Sequence, residues 1–99
     1  LGEKQTVEVR LKKKQPIENV SVYWYDDKGG VQRPVEWNME YFVDGKWQEF
    51  KPYITDRFGI ELDQFNMVHP ASAIEAEALR LHITPKKESS VGILELTVE

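Results

Sequence analysis

Two aromatic-rich segments with regular alternation, separated by a polar loop holding a glycine pair, constrain this chain more than any other feature. Val20, Val22 and Trp24 alternate with Ser21, Tyr23 and Tyr25, while Trp37, Met39, Tyr41 and Val43 alternate with Asn38, Glu40 and Phe42. Successive side chains of a strand point to opposite faces, so each segment presents one apolar face at period two. Between them, DDKGGVQRP over residues 26–34 combines Gly29 and Gly30 with Pro34, residues that break regular structure and predict a loop. After Val43, the pair Asp44-Gly45 supplies the positive φ angles of a tight type I′ turn and returns the chain over residues 46–50.

The same period recurs elsewhere. Val7, Val9 and Leu11 share a face over residues 5–11, and a second strand is expected over residues 17–25. Leu79, Leu81 and Ile83 share another face, as do Leu94, Leu96 and Val98. Residues 52–68 mix periods around Gly59 and read as two short strands or irregular connectors. Residues 71–78 are rich in Ala and Glu, which predicts one helical turn. Some seven short strands with almost no helix define an all-β, antiparallel β-sandwich. Its core is expected to hold Val22, Trp24, Trp37, Met39, Tyr41, Leu81 and Leu96.

Ninety-nine residues is the size of one domain, so residues 1–99 read as a single unit. The net charge of −4 argues against a nucleic-acid partner. The one dense basic run, Lys12, Lys13 and Lys14, has no adjacent aromatic for bases to stack on and reads as a solvated turn between strands. With no cysteine there is neither a disulfide nor a thiolate zinc site. No apolar run approaches the ~20 residues of a membrane helix. The first residue is Leu1 rather than methionine, so a domain excised or processed from a larger chain is expected.

Taken in order, VSVYWYDD, a glycine-containing loop ending in RP, WNMEY with DGKW, LRLHI and VGILELTV resemble the galactose-binding-like (discoidin-type jelly-roll) accessory domains of bacterial polysaccharide-degrading glycoside hydrolases. The resemblance runs over nearly the whole chain and is closest to the domains attached to β-L-arabinofuranosidase-type enzymes. It implies a noncatalytic domain of a secreted hydrolase, periplasmic or extracellular in a bacterium. The implied partners are the catalytic domain of the same polypeptide and an oligosaccharide, with no nucleic acid and no membrane. Complete domains of this family carry additional N-terminal strands and a loop that often holds structural calcium; this sequence has no counterpart of either, and no metal or cofactor is expected. An independent carbohydrate-binding module and an immunoglobulin- or fibronectin-like spacer are the alternatives.

Sugar recognition pairs an aromatic plane, against the C–H face of a pyranose, with polar groups that take the hydroxyls. Tyr25, Asp26, Asp27 and Arg33 offer these types on one loop and are the candidate carbohydrate-binding residues. Each has an ordinary reading too. Aspartate at a strand end caps a turn through backbone N–H groups, Arg33 can pair with Asp27, and Tyr25 can lie against a neighbouring domain. Glycoside hydrolysis requires two opposed carboxylates across a cleft. Glu40, Glu49, Asp56, Glu61 and Asp63 show no such pairing in sequence, so no catalytic residue is assigned. His69 and His82 lack carboxylate neighbours in sequence and read as surface residues.

Overall fold

The structure, a computed structural model, describes residues 2–99. Seven strands run in the order β1 (Gln5–Ile17), β2 (Val20–Tyr25), β3 (Glu36–Val43), β4 (Lys46–Glu49), β5 (Phe65–Val68), β6 (Ile74–Thr84) and β7 (Gly92–Val98). They form a larger sheet, β1-β6-β3-β4, and a smaller one, β5-β2-β7, with every strand pair antiparallel. The inner faces of the two sheets close a sandwich. Val20, Val22, Trp24 and Val68 of the smaller sheet meet Trp37, Met39, Leu79, Leu81 and Ile83 of the larger. Asp44 and Gly45, at φ 51° and 83°, make the turn that the sequence predicts between β3 and β4.

Four expectations are corrected, and a fifth, for residues 52–68, is met in part. The lysine run is not a turn: it lies inside β1 as an irregularity, where Arg10 opposes Ala78 and Gln15 opposes Ala76, so that five steps along β1 match two along β6. The second strand starts at Val20 rather than residue 17, because Ile17 closes β1 and Glu18 and Asn19 turn onto Glu99 through backbone bonds. Residues 52–68 hold one strand, β5, preceded by irregular chain. The helical turn expected over residues 71–78 is absent, since from Ile74 onward the chain pairs with β1 and then β3, and those ladders outweigh local helix propensity. Tyr41 and Leu96 are half-buried rather than core: Tyr41 lines an open groove and Leu96 sits on the edge strand β7.

One local irregularity re-aims a side chain. Val22 opposes Leu96 and Trp24 opposes Ile93, so β7 carries an extra residue and Ile93, not Leu94, packs inward. Leu94 is left 64% exposed beside Tyr25.

The registers also sort the connections between two ends of the sandwich. Residues 26–34 and 85–91 meet at the Tyr25 end, where Ser90 N–H donates to Gly30 O and Gln32 N–H to Ser90 O, both at 2.9 Å. The 44–45 turn and residues 69–73 lie at the opposite, Val20 end. Residues 51–64 run between the two.

Candidate functional site

The 26–34 loop is ordered by its own aspartates. Asp26 Oδ1 accepts from the Lys28 N–H at 2.7 Å and its Oδ2 from the Arg33 N–H at 3.4 Å. Asp27 Oδ1 accepts from the N–H groups of Gly29 and Val31, at 2.7 and 3.1 Å. Both are capping interactions of the kind expected for aspartate where a strand gives way to a turn. The ion pair anticipated between Arg33 and Asp27 does not form; Arg33 Nη1 instead donates to the Ile60 carbonyl at 3.4 Å. That bond ties the loop to residues 58–62.

A groove of about 280 Å³ opens beside this loop, lined by Tyr23, Tyr25, Asp26, Lys28, Asp63 and Leu94 among others. Of the four residues singled out by sequence, the structure brings Tyr25 and Asp26 to the groove, while Asp27 and Arg33 hold the loop behind it. Tyr25 is 44% exposed. Lys28 and Asp63 both adopt φ 62°, a left-handed conformation that costs a non-glycine residue about 1–2 kcal/mol and tends to cluster at functional sites. Sequence reading missed Asp63 and Leu94, because they come from loops far apart in the chain and the bulge in β7 leaves no mark in the sequence.

Beneath the groove, the indole N–H groups of Trp24 and Trp37 both donate to the Gly59 carbonyl, at 3.0 and 2.8 Å. This shared acceptor fixes the 59–63 segment against the end of β2, so the wall formed by Leu62 and Asp63 is held in place.

A second polar cluster lies on the outer face of the larger sheet. Arg80 Nε and Nη2 donate to Glu40 Oε1 at 3.1 and 2.9 Å, and His82 Nε2 sits 2.6 Å from the same oxygen. Arg80 also stacks 4.0 Å over the Trp47 ring, which occupies that aromatic face. His69 Nδ1 likewise sits 2.8 Å from Asp56 Oδ2. Both histidines therefore have a carboxylate partner, which the sequence spacing concealed because 42 and 13 residues separate the members of each pair. Glu40 faces Glu49 across the β3–β4 ladder, but on an open sheet face rather than across a cleft.

Hydrogen bonds from His82 and Arg80 hold the Glu40 carboxyl below its ordinary value of 4.5. Because the folded value is the depressed one, the stabilisation is fully present above about pH 4.5 and is lost as the pH falls from there through the folded value. Glu40→Gln should therefore destabilise the fold at pH 7 and cease to differ from wild type in strong acid. Denaturant midpoints compared between pH 7 and pH 3 test this. A mutant deficit that persists undiminished in acid would assign the effect to lost packing.

No family model matches the sequence. Among solved structures, the fold is similar to a chain from the Streptococcus pneumoniae beta-galactosidase, with a TM-score of 0.79 at 17% identity, covering 97% of this chain and 70% of that one. It is also similar to a pectin-binding carbohydrate-binding module, with a TM-score of 0.71 at 18% identity over 100% of this chain and 68% of that one. A third similar structure is a protein named as an alpha-L-fucosidase from Bacteroides thetaiotaomicron, with a TM-score of 0.69 at 21% identity; the match covers 96% of this chain and 19% of that one. At these identities the likeness establishes the all-β sandwich fold.

Proposed function

We propose that this chain is a noncatalytic, carbohydrate-binding accessory domain of a larger secreted glycoside hydrolase, and that saccharide binds in the groove beside Tyr25. The observation that carries the reading is the exposed Tyr25 ring at the mouth of a preformed groove with Asp26, Lys28 and Asp63. An aromatic plane for the C–H face of a sugar and polar groups for its hydroxyls converge there on a rigid sandwich. Asp26 contributes whatever acceptor capacity its loop bonds leave, and Asp27 and Arg33 act by shaping the loop. The three similar structures support this class: one is from a beta-galactosidase, one is a carbohydrate-binding module, and one is named as an alpha-L-fucosidase.

The groove is small and open, so a Kd of roughly millimolar to high micromolar is expected. Titration of the labelled chain by NMR with arabinose-, galactose- and rhamnose-containing oligosaccharides should move the amides of residues 25–28 and 62–63. The arabinose arm tests the finer resemblance to domains of β-L-arabinofuranosidase-type enzymes. Tyr25→Ala should weaken binding about tenfold or more, on the order of 1.4 kcal/mol of stacking energy. Unchanged affinity in that variant would remove Tyr25 from the site. The absence of any shift at this end in millimolar ligand would favour packing against the catalytic domain, with Tyr25, Phe65 and Met67 as the contact face, since all three are exposed on the smaller sheet.

A further inference from the structure

The two sheets differ in strand number, and the edge strand of the larger one lies toward the other end of the sandwich. Four strands face three, and the edge strand β4 places Lys46 and Gln48 on the same side as the core residue Val43, with both side chains exposed. Polar residues at inward-alternating positions mark a part of that inner face built to meet water or a polar ligand. A concavity of about 400 Å³ occupies it, bounded by Tyr41, Gln48, Glu49 and Lys51 on one side and by Ser72 and Ile74 on the other. That volume is within the range of small-molecule sites.

The two walls are tied together behind the groove. The Ala71 N–H donates to the Lys51 carbonyl and the Tyr53 N–H to the His69 carbonyl, each at 2.8 Å, and Pro52 bridges Pro70. Backbone bonds thus fix how the two wall segments are joined. Tyr41 forms the aromatic part, half-buried, its hydroxyl 3.5 Å from Gln48 Oε1. Among the described residues, the Gln48 amide nitrogen, the Lys51 ammonium and the Ser72 hydroxyl have no hydrogen-bond partner within the chain. Lys51 and Glu49 both border the groove, Glu49 from the β4 position that opposes Glu40, and an adjoining depression adds Asp44 and Glu75, so among the described residues no cluster of cations is present there to select an anionic ligand. Tyr41 and Ile74 also line that depression, of about 450 Å³, which extends the surface beyond one sugar unit.

We infer that this groove is a second saccharide site, taking a neutral oligosaccharide of two or three units. The Tyr41 ring offers the apolar face for C–H contact, and the Gln48 amide, Lys51 ammonium and Ser72 hydroxyl are donors for sugar hydroxyls. This site shares no residue with the groove beside Tyr25 and stands independently of it.

The test is a titration of the whole labelled chain with neutral trisaccharides built from galactose, glucose, xylose, arabinose or mannose, with trigalacturonate as the charged probe. At least one neutral trisaccharide should shift the amides of Gln48, Lys51, Ala71 and Ser72 saturably. Gln48→Ala, on an exposed edge position, should weaken that binding about fivefold or more at unchanged melting temperature, and Tyr25→Ala should leave it intact. Shifts at this groove alone would sustain the inference and displace the Tyr25 site. Shifts at the Tyr25 end alone, or none with any neutral probe at about 20 mM, would overturn it, as would tighter binding of trigalacturonate here.

Discussion

Trp37→Ala should destabilise the fold by about 3–5 kcal/mol, the range for a large aromatic removed from a packed core. Trp37 is 3% exposed, meets Trp24 edge-on at 5.5 Å and Phe58 at 5.0 Å, and donates its indole N–H to Gly59 O. Alanine would leave a void between two rings and halve the hydrogen bonding at that carbonyl. Trp47→Ala provides the contrast, because Trp47 lies on the outer face under Arg80 and its loss should cost about 1 kcal/mol or less. Denaturant unfolding of the two variants measures both, with equal slopes indicating that only stability has changed. A Trp37 loss below about 1 kcal/mol would place that side chain outside the core. The consequence reaches the candidate site as well: Trp24, its neighbour, immediately precedes Tyr25, so a loosened indole pair should raise amide exchange over residues 25–28.

What the sequence reveals of this fold is what depends on neighbours in the chain. Alternation in β2 and β3 is enough to bury Trp24, Trp37 and Met39, and Asp44-Gly45 is enough for the hairpin, because each is a local geometric requirement. Residues 74–78 show the limit. Their Ala and Glu content favours helix in isolation, yet Ala76 and Ala78 are fully buried in a strand flanked by β1 and β3. Small residues are needed at that crowded position, a fact that only the pairing exposes.

The site divides in the same way. The aspartate caps are legible, since Asp26 and Asp27 act on N–H groups two to seven residues onward. Asp63 and Leu94 reach the groove through tertiary placement, and the Glu40–His82 contact depends on the β3–β6 register. Tyr41 shows how alternation can give the right face and the wrong surroundings: it does point to the inner side of β3, but its ring lines an open groove at the end of the larger sheet.

Gly59 and Asn66 should show the second large effect, and a coupled one. A Cβ on residue 59 would come within 2.6 Å of Asn66 Oδ1 and 3.2 Å of its Cβ and Cγ. Asn66 has little room to yield, because Oδ1 accepts from the Glu61 N–H at 2.9 Å while Nδ2 donates to the carbonyls of Glu61 and Val22 at 3.0 and 3.2 Å. Gly59→Ala should therefore cost about 2–3 kcal/mol through overpacking. Asn66→Ala should cost a similar amount, about 2–3 kcal/mol, by removing its bond to the buried Val22 carbonyl and its two bonds to the part-buried Glu61 backbone. In the double variant the added methyl occupies space that the asparagine has vacated, so its loss should fall short of the sum of the singles by about 1–2 kcal/mol. Strict additivity in denaturant melts would mean that the two residues act separately. Because Gly59 O anchors both indoles and the following residues form a wall of the Tyr25 groove, Gly59→Ala should also weaken the saccharide binding proposed there, without altering any residue proposed to face the sugar. Binding at the Gln48 groove should be unaffected, which separates local displacement of the 59–63 segment from general loosening of the sandwich.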